Sequence, residues 1–353
     1  MSKKVLVGMS GGIDSSAAAS LLQNEGFQPV GVTFVVAPYS DTTLFQAEAQ
    51  KAKLVCKKLG IDHITLEIDD FEEEVVAPFA DAYLQGETPN PCIICNRRIK
   101  FRYLYKEAQK RNIENIATGH YARVKYDSNH KRYQLLKGLD QSKDQSYFLW
   151  KLSQKYLSKI IFPLGQRKKS KIAKYVDTNG LIERKTGESQ DICFIPGNDY
   201  RQFLAEYKPE FIDNFQKGQI IDPDGDVLGT HSGFYNFTIG QRKGFHVDRP
   251  GKQYVKSIDP KNNQITVTGN QDLFSKQMVI KDCNWISIDE QEEIEGLLKP
   301  RYRSKGALCR ATKIGENQYR IEFEKKQRAL TPGQSAVLYQ DDKVIFGGII
   351  TKN

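Results

Sequence analysis

The run Val5-Leu6-Val7-Gly8-Met9-Ser10-Gly11-Gly12-Ile13-Asp14-Ser15-Ser16 constrains this chain more than any other stretch. An apolar, β-branched segment enters a small-residue turn and passes directly into Ala17-Ala18-Ala19-Ser20-Leu21-Leu22, a strong helix former. Strand, tight loop and helix in that order form an anion site. Glycines let the backbone turn and approach an anion closely, and the open N–H groups and positive dipole end of the helix point at it. Ser10, Ser15 and Ser16 add hydroxyl donors.

No Gly-Lys-Ser/Thr closes the loop, so it is not of the Walker type, and the dinucleotide spacing G-x-G-x-x-G is missing. Ser-Gly-Gly-x-Asp-Ser instead resembles the pyrophosphate loop of ATP pyrophosphatases, which split ATP between the α and β phosphates. The resemblance implies that Gly11, Gly12, Asp14, Ser15 and Ser16 hold pyrophosphate.

Alternation over the first half predicts a doubly wound parallel sheet. The strands are Val5–Met9, residues 30–36 and residues 63–68, with helices after the loop and over Glu48–Leu59, closed by Gly60. Residues 115–122 read as a strand end and tight turn after a helix from about Ile99 to Arg111. Ligands in such sheets sit beyond the strand carboxyl ends, where the loop, Phe34 and Gly119-His120 converge. Phe34 suits a stack on adenine and a core position equally. Residues from about 140 to 205 read as a helical, basic insert, densest at Gln166-Arg167-Lys168-Lys169-Ser170-Lys171. Beside Lys143-Asp144-Gln145, that cluster suits nucleic-acid backbone. Beyond about residue 210, short alternating runs between Pro and Gly turns predict β structure, and the last eighty or so residues a small antiparallel barrel. The expected domains are 1–207, 208–272 and 273–353.

The 353 residues carry 52 Lys+Arg against 43 Asp+Glu, a balance that leans toward a polyanionic partner. With no apolar run of about eighteen residues and no room for a leader before the first strand, the expectation is a cytoplasmic protein without a membrane partner. Six cysteines in such a chain do not suggest a disulfide framework, and Cys56, Cys283 and Cys309 read as buried apolar residues. Thr88-Pro89-Asn90-Pro91-Cys92-Ile93-Ile94-Cys95-Asn96 leads into a helix expected to begin near Asn96. A thiol at that N-terminus, near Arg97, Arg98 and Lys100, is placed to be a reactive thiolate. Ser189-Gln190-Asp191-Ile192-Cys193-Phe194-Ile195-Pro196-Gly197 brings a third cysteine in a polar loop.

These stretches together resemble the tRNA-specific 2-thiouridylases. The resemblance extends through Thr118-Gly119-His120-Tyr121-Ala122, Lys143-Asp144-Gln145-Ser146-Tyr147-Phe148-Leu149, residues 235–244, Arg301-Tyr302-Arg303 and Gly347-Gly348-Ile349-Ile350, in the family's order. It implies adenylation of the carbon-2 oxygen of the anticodon wobble uridine with ATP and Mg²⁺. Sulfur from a persulfide-donating sulfurtransferase or relay protein would then be inserted. Carried over by position, Cys193 bears the persulfide, and Cys95 releases its sulfur or closes a disulfide with it. Gly8, Met9, Ser10, Gly11, Gly12, Ile13, Asp14, Ser15, Phe34 and Gly119 fall at nucleotide-binding positions. Asn90, Pro91, Cys92, His120, Lys143, Asp144, Gln145, Arg301, Tyr302 and Gln334 fall at tRNA-contact positions. Where many members have Asp this chain has Cys92, so Cys92, Cys95 and Cys193 could ligate an iron–sulfur cluster, or Cys92 could be a resolving or buried thiol. A small-molecule ATP pyrophosphatase of the argininosuccinate or GMP synthetase sort, or a non-catalytic RNA-binding protein, would leave either the cysteines or the intact loop without a task.

Overall fold

A computed structural model describes residues 3–36, 42–182, 192–215 and 217–352. Its first layer is a parallel sheet of β1 (Lys4–Gly8), β2 (Gln28–Val36), β3 (His63–Ile68), β4 (Asn115–Ala117) and the short β7 (Ile160–Ile161), in the order β3-β2-β1-β4-β7. The period-2 alternation of β1 assigns its faces. Val5 and Val7 pack with Ala19 and Leu22 of α1 (Ile13–Asn24) and with Ala52 and Val55 of α2 (Thr42–Leu59). Leu6 points the other way, onto Phe101, Leu104 and Ala108 of α5. This is the doubly wound arrangement that the alternating sequence predicts.

Helix α5 (Phe101–Lys110) ends a continuous helical run that starts as α4 (Pro91–Cys95), a little after α3 (Ala77–Leu84). Between α4 and α5 lies a π-helical segment, Asn96–Lys100. The run therefore begins at Pro91 and not near Asn96. Asn90 is extended, and a proline without an N–H, its φ already helical, suits the first helical position. The expectation that Cys95 sits at a helix N-terminus is corrected by this: Cys95 lies a full turn inside.

The stretch from 140 to 205 is less helical than its charge pattern suggests. Among the described residues it holds a 3₁₀ turn (Ser146–Leu149), α6 (Gln154–Leu157), strand β7, α7 (Lys169–Thr178) and the start of α8 (Tyr200–Tyr207), with turns between. Tyr147, Leu149 and Trp150 are fully buried, so packing holds this segment where no amphipathic stripe exists. Ser189, Gln190 and Asp191, before Cys193, lie outside the described residues.

After α9 (Pro209–Asn214) comes a mixed four-stranded sheet. It is made of β8 (Gly218–Ile221), β9 (Val227–His231), β10 (Tyr254–Asp259) and β11 (Gln264–Thr268), ordered β10-β11-β8-β9. The C-terminal strands are β12 (Phe274–Trp285), β13 (Glu293–Lys299), β14 (Ala307–Gly315), β15 (Gln318–Arg328), β16 (Ser335–Gln340) and β17 (Lys343–Ile350). They run β12-β15-β14-β13-β16-β17 and close where β12 pairs with β17, forming the antiparallel barrel. Tyr319, Ile321 and Phe323 alternate inward along β15.

One element of the first half belongs to the barrel sheet. The hairpin β5 (Ala122–Asp127) and β6 (Arg132–Lys137) leaves the nucleotide sheet after β4 and pairs with β17, Leu135 opposite Val344. Arg132 donates to the carbonyls of Trp285 and Ile286, and Asn284 Nδ2 to those of Trp150 and Leu152. Among the described residues no helix is long and apolar enough to cross a membrane.

Gly347 is the tightest point of this seam, because a Cβ there would lie 2.5 Å from the Trp150 ring. Gly347→Ala is expected to destabilise the protein by about 1–3 kcal/mol, as overpacking of a close-packed core does. Thermal or denaturant unfolding measures this, and an unchanged midpoint would mean that Trp150 does not pack on β17.

Candidate active site

The glycine loop continues β1. Met9 N–H donates to the Val32 carbonyl (2.7 Å) and the Thr33 hydroxyl to the Met9 carbonyl (2.8 Å), fixing where the strand ends. Gly11 then turns at φ +72°, with a hypothetical Cβ only 2.6 Å from Lys51 Cβ, so both conformation and space require glycine. Helix α1 starts at Ile13, and Gly12, in the N-cap position, offers no side-chain cap. The amides of the first turn are left for an anion. The serines are partly committed to the loop itself: Ser10 N–H donates to Ser15 Oγ (3.2 Å), and the Ser15 and Ser16 hydroxyls donate to the Gly12 carbonyl. Ser16 has no exposed surface, which corrects its expected role as a phosphate donor: it braces the turn from beneath.

Asp14 is held from two sides. Lys169 Nζ lies 2.7 and 2.6 Å from its carboxylate oxygens, and the Tyr121 hydroxyl donates to Oδ1 at 2.9 Å. Burial and the Asp14 charge push the Tyr121 phenol far above its ordinary range, so it remains a donor. Lys169 thus separates from the basic cluster in which the sequence sets it. Lys168 and Lys171 are exposed, while Lys169 is drawn onto the phosphate loop, its own N–H anchored on Asp140 Oδ2 (2.8 Å). Gly119 packs against the first turn of α1, where a Cβ would stand 2.7 Å from the Asp14 carbonyl carbon.

A cleft of about 800 Å³ opens above the loop. Ser10, Gly12, Asp14 and Lys169 form one wall, Lys143, Asp144, Gln145 and Phe148 a second, and Lys299, Tyr302, Arg303 and Lys305 from the barrel a third. Uncapped amides, a carboxylate and several cations fit the phosphates of a nucleotide bound with Mg²⁺. The Phe148 and Tyr302 rings meet across the join, 4.5 Å apart between centroids and tilted by 48°. Lys169, Tyr121, Lys299 and Lys305 were not singled out from sequence. Only Lys169 and Tyr121 carried a signal, as members of the basic run and the Gly119-His120-Tyr121 turn.

The remaining positions expected to contact tRNA divide by what they touch. Asp144 is buried, accepting from the N–H groups of Gly138 and Ser146 and from the Ser146 hydroxyl, a structural knot. Arg301 donates to the Arg328 and Ala329 carbonyls, and Gln334 Nε2 to the Thr88 carbonyl (2.7 Å), stitching the barrel to the strap before Asn90 and Pro91. Phe34 is half-buried between two core clusters. His120, whose Nδ1 is 2.8 Å from the Thr118 hydroxyl, is held neutral: burial and the Lys100 ammonium push it down to about 3.

None of the six cysteines is disulfide-bonded. Cys95 is buried, and burial pushes its thiol up to about 11 against the pull of Lys100, so the resting residue is a thiol and not the thiolate expected from sequence. Cys193 is exposed, and desolvation followed by the neighbouring Cys95 raises its thiol too. Lys100 faces the whole group. Desolvation acts to lower its pKa, but Cys95, Cys92, Cys193 and Glu48 together outweigh that and raise it. Arg97 and Arg98 are exposed, and Arg98 pairs with Glu74. Among the described residues no three His, Cys, Asp or Glu side chains converge closely enough to hold a metal ion. Cys92, Cys95 and Cys193 nonetheless share one neighbourhood around Lys100.

Comparison with known proteins agrees with this anatomy. Residues 3–197 match the family model described as tRNA methyl transferase HUP domain, residues 201–269 its PRC-barrel domain, and residues 275–350 the aminomethyltransferase beta-barrel domain. The chain is 42% identical to the tRNA-specific 2-thiouridylase MnmA 1 of Caldanaerobacter subterraneus subsp. tengcongensis, over all of this chain and 99% of that one. It is 38% identical to the tRNA-specific 2-thiouridylase MnmA of Clostridioides difficile, with the same coverage. A phosphate loop on a doubly wound sheet, a central β domain and a closed barrel, matched along their whole length, make this chain a member of the tRNA-specific 2-thiouridylase family.

Proposed function

We propose that the protein is an ATP-dependent sulfurtransferase that 2-thiolates the wobble uridine of tRNA. The observation that carries this is the shared cleft: one wall is an uncapped helix N-terminus suited to pyrophosphate, and another is a basic, aromatic edge of the barrel suited to RNA. The uridine carbon-2 oxygen attacks the α phosphorus of ATP and pyrophosphate leaves, its charge met by the α1 amides and by Lys169; Asp14 would hold a magnesium ion, which would supply further countercharge. This step is needed because a carbonyl oxygen is a very poor leaving group and AMP is a good one.

The sulfur step falls to the thiols. The terminal sulfur of a persulfide on Cys193, supplied by a donor protein, attacks carbon 2 and expels AMP. Cys95, as thiolate, then breaks the S–S bond, leaving sulfur on the base and a Cys95–Cys193 disulfide for an external thiol to reduce. Exposure of Cys193 supports its part, since a donor protein must reach it, and the buried Cys95 beside Lys100 suits a nucleophile called on only when the substrate is seated.

Four outcomes test this reading. Pyrophosphate release should require added tRNA. Cys193→Ser should abolish 2-thiouridine formation, read by nucleoside mass spectrometry, while pyrophosphate release persists; thiolation at the normal rate would remove Cys193 from the mechanism. Asp14→Ala should lower tRNA-dependent pyrophosphate release by about tenfold or more, in line with the loss of a group that acts on developing charge. In the resting protein, iodoacetamide at pH 7.5 should modify Cys193 well before Cys95. Because both thiols are raised, alkylation should quicken steadily as pH climbs toward 11, the region in which Cys95 ionises.

A further inference from the structure

The turn after β4 joins two surfaces to which the proposed reaction gives different tasks. Tyr121 is 2% exposed, and its ring packs with Ala17, Ala18 and Leu21 of α1 and with Leu164. Its hydroxyl donates to Asp14 on the phosphate loop (2.9 Å). Its backbone is gripped from the opposite side by one residue: Tyr121 N–H donates to Gln145 Oε1 (2.9 Å), and Gln145 N–H donates to the Tyr121 carbonyl (2.9 Å). Gln145 lines the cleft next to Lys143, and strand β5 of the barrel sheet begins at the very next residue, Ala122.

Such a connection transmits displacement. A buried phenol has two torsions, and packing fixes both, so a shift of Gln145 carries the Tyr121 backbone and with it the hydroxyl that aims Asp14. The neighbouring turn has no slack either. Gly119 already touches the Asp14 and Ser15 backbone, and a Cβ on Gly138 would meet the Tyr121 carbonyl oxygen at 2.8 Å.

We propose that Tyr121 is a positioning residue that couples RNA on the Lys143–Gln145 segment to nucleotide phosphate on the glycine loop, each favouring the other. This rests on the proposed tRNA thiolation. It adds to that function a reason why ATP is not cleaved idly: Asp14 is aimed correctly when the Gln145 grip is set by bound RNA. Linkage requires the effect to be reciprocal, with nucleotide raising affinity for RNA by the same factor.

The test uses the full-length protein, unmodified tRNA and α,β-methylene-ATP, an analogue not cleaved at the reacting bond. In the wild type, saturating tRNA should lower the dissociation constant of the analogue by about fivefold or more, within the usual range of coupling between sites. Tyr121→Phe keeps the ring and removes only the hydroxyl, and it should bring that ratio below about twofold, as should Gln145→Leu. The double variant should be no worse than either single, because both break one chain of contacts. A merely structural role for Tyr121 would lower the unfolding midpoint and weaken both dissociation constants while leaving their ratio intact. A wild-type ratio near one, a ratio preserved in Tyr121→Phe, or multiplicative losses in the double variant would each overturn the coupling. Tracking pyrophosphate in parallel separates the two claims: release that depends on tRNA with an unaltered ratio sinks only the coupling, whereas no release with tRNA sinks the proposed function itself.

Discussion

The backbone of Gly119 lies against the first turn of α1 so closely that a single methyl group there would meet the Asp14 carbonyl carbon at 2.7 Å. Much of the molecule follows from this contact. It brings the end of β4 onto the phosphate loop, sets Tyr121 where its hydroxyl reaches Asp14, and starts β5 on its way to the barrel. The helix dipole favours the carboxylate at this end of α1, and Lys169 arrives from a third region to neutralise it. A nucleotide would compete for the same cation, so the resting ion pair keeps the loop compact without filling the amides that phosphate needs.

The barrel is bound to the nucleotide domain by sheet hydrogen bonds as well as by side-chain packing. With β6 paired to β17 and Trp150 seated over Gly347, the hairpin that begins beside the active-site turn forms part of the C-terminal sheet. Backbone pairing of this kind tolerates little sliding, because a one-residue slip would turn Leu135 and its partners to the wrong face. The third wall of the cleft, Lys299 to Lys305, is therefore held at a set distance from the loop, as a substrate spanning both walls demands.

How much of this was readable beforehand follows from how local each signal is. The parallel strands were legible because β1 to β3 are apolar runs with turn residues at their ends. The loop was legible because a glycine that must take φ +72° leaves its mark in the sequence. The hairpin's partner was not legible: β6 and β17 lie some two hundred residues apart, and nothing in residues 132–137 names the strand they pair with. Lys169 was misread for a related reason, since a run of like charges gives no sign of which member turns inward. Arg301, Gln334 and Asp144 stood at positions inherited from the family resemblance, and the hydrogen bonds that occupy them are visible only in three dimensions.

Cys95 shows why a local rule can fail by a small displacement. Had the helix begun at Asn96, its dipole would have favoured a thiolate at residue 95; Pro91 moves the start five residues earlier, and the thiol is buried beyond the reach of the open amides. What replaces the dipole is Lys100. Five residues along a regular α-helix bring a side chain about 140° around the axis, away from its starting face. The π segment Asn96–Lys100, in which the Phe101 N–H donates to the Asn96 carbonyl, absorbs one extra residue, so that Lys100 returns to the side occupied by Cys92 and Cys95. Burial and that ammonium act on Cys95 in opposite directions, and burial prevails in the resting protein. Cys95 is thereby kept protonated while the cation that favours its ionised form is already in position beside it.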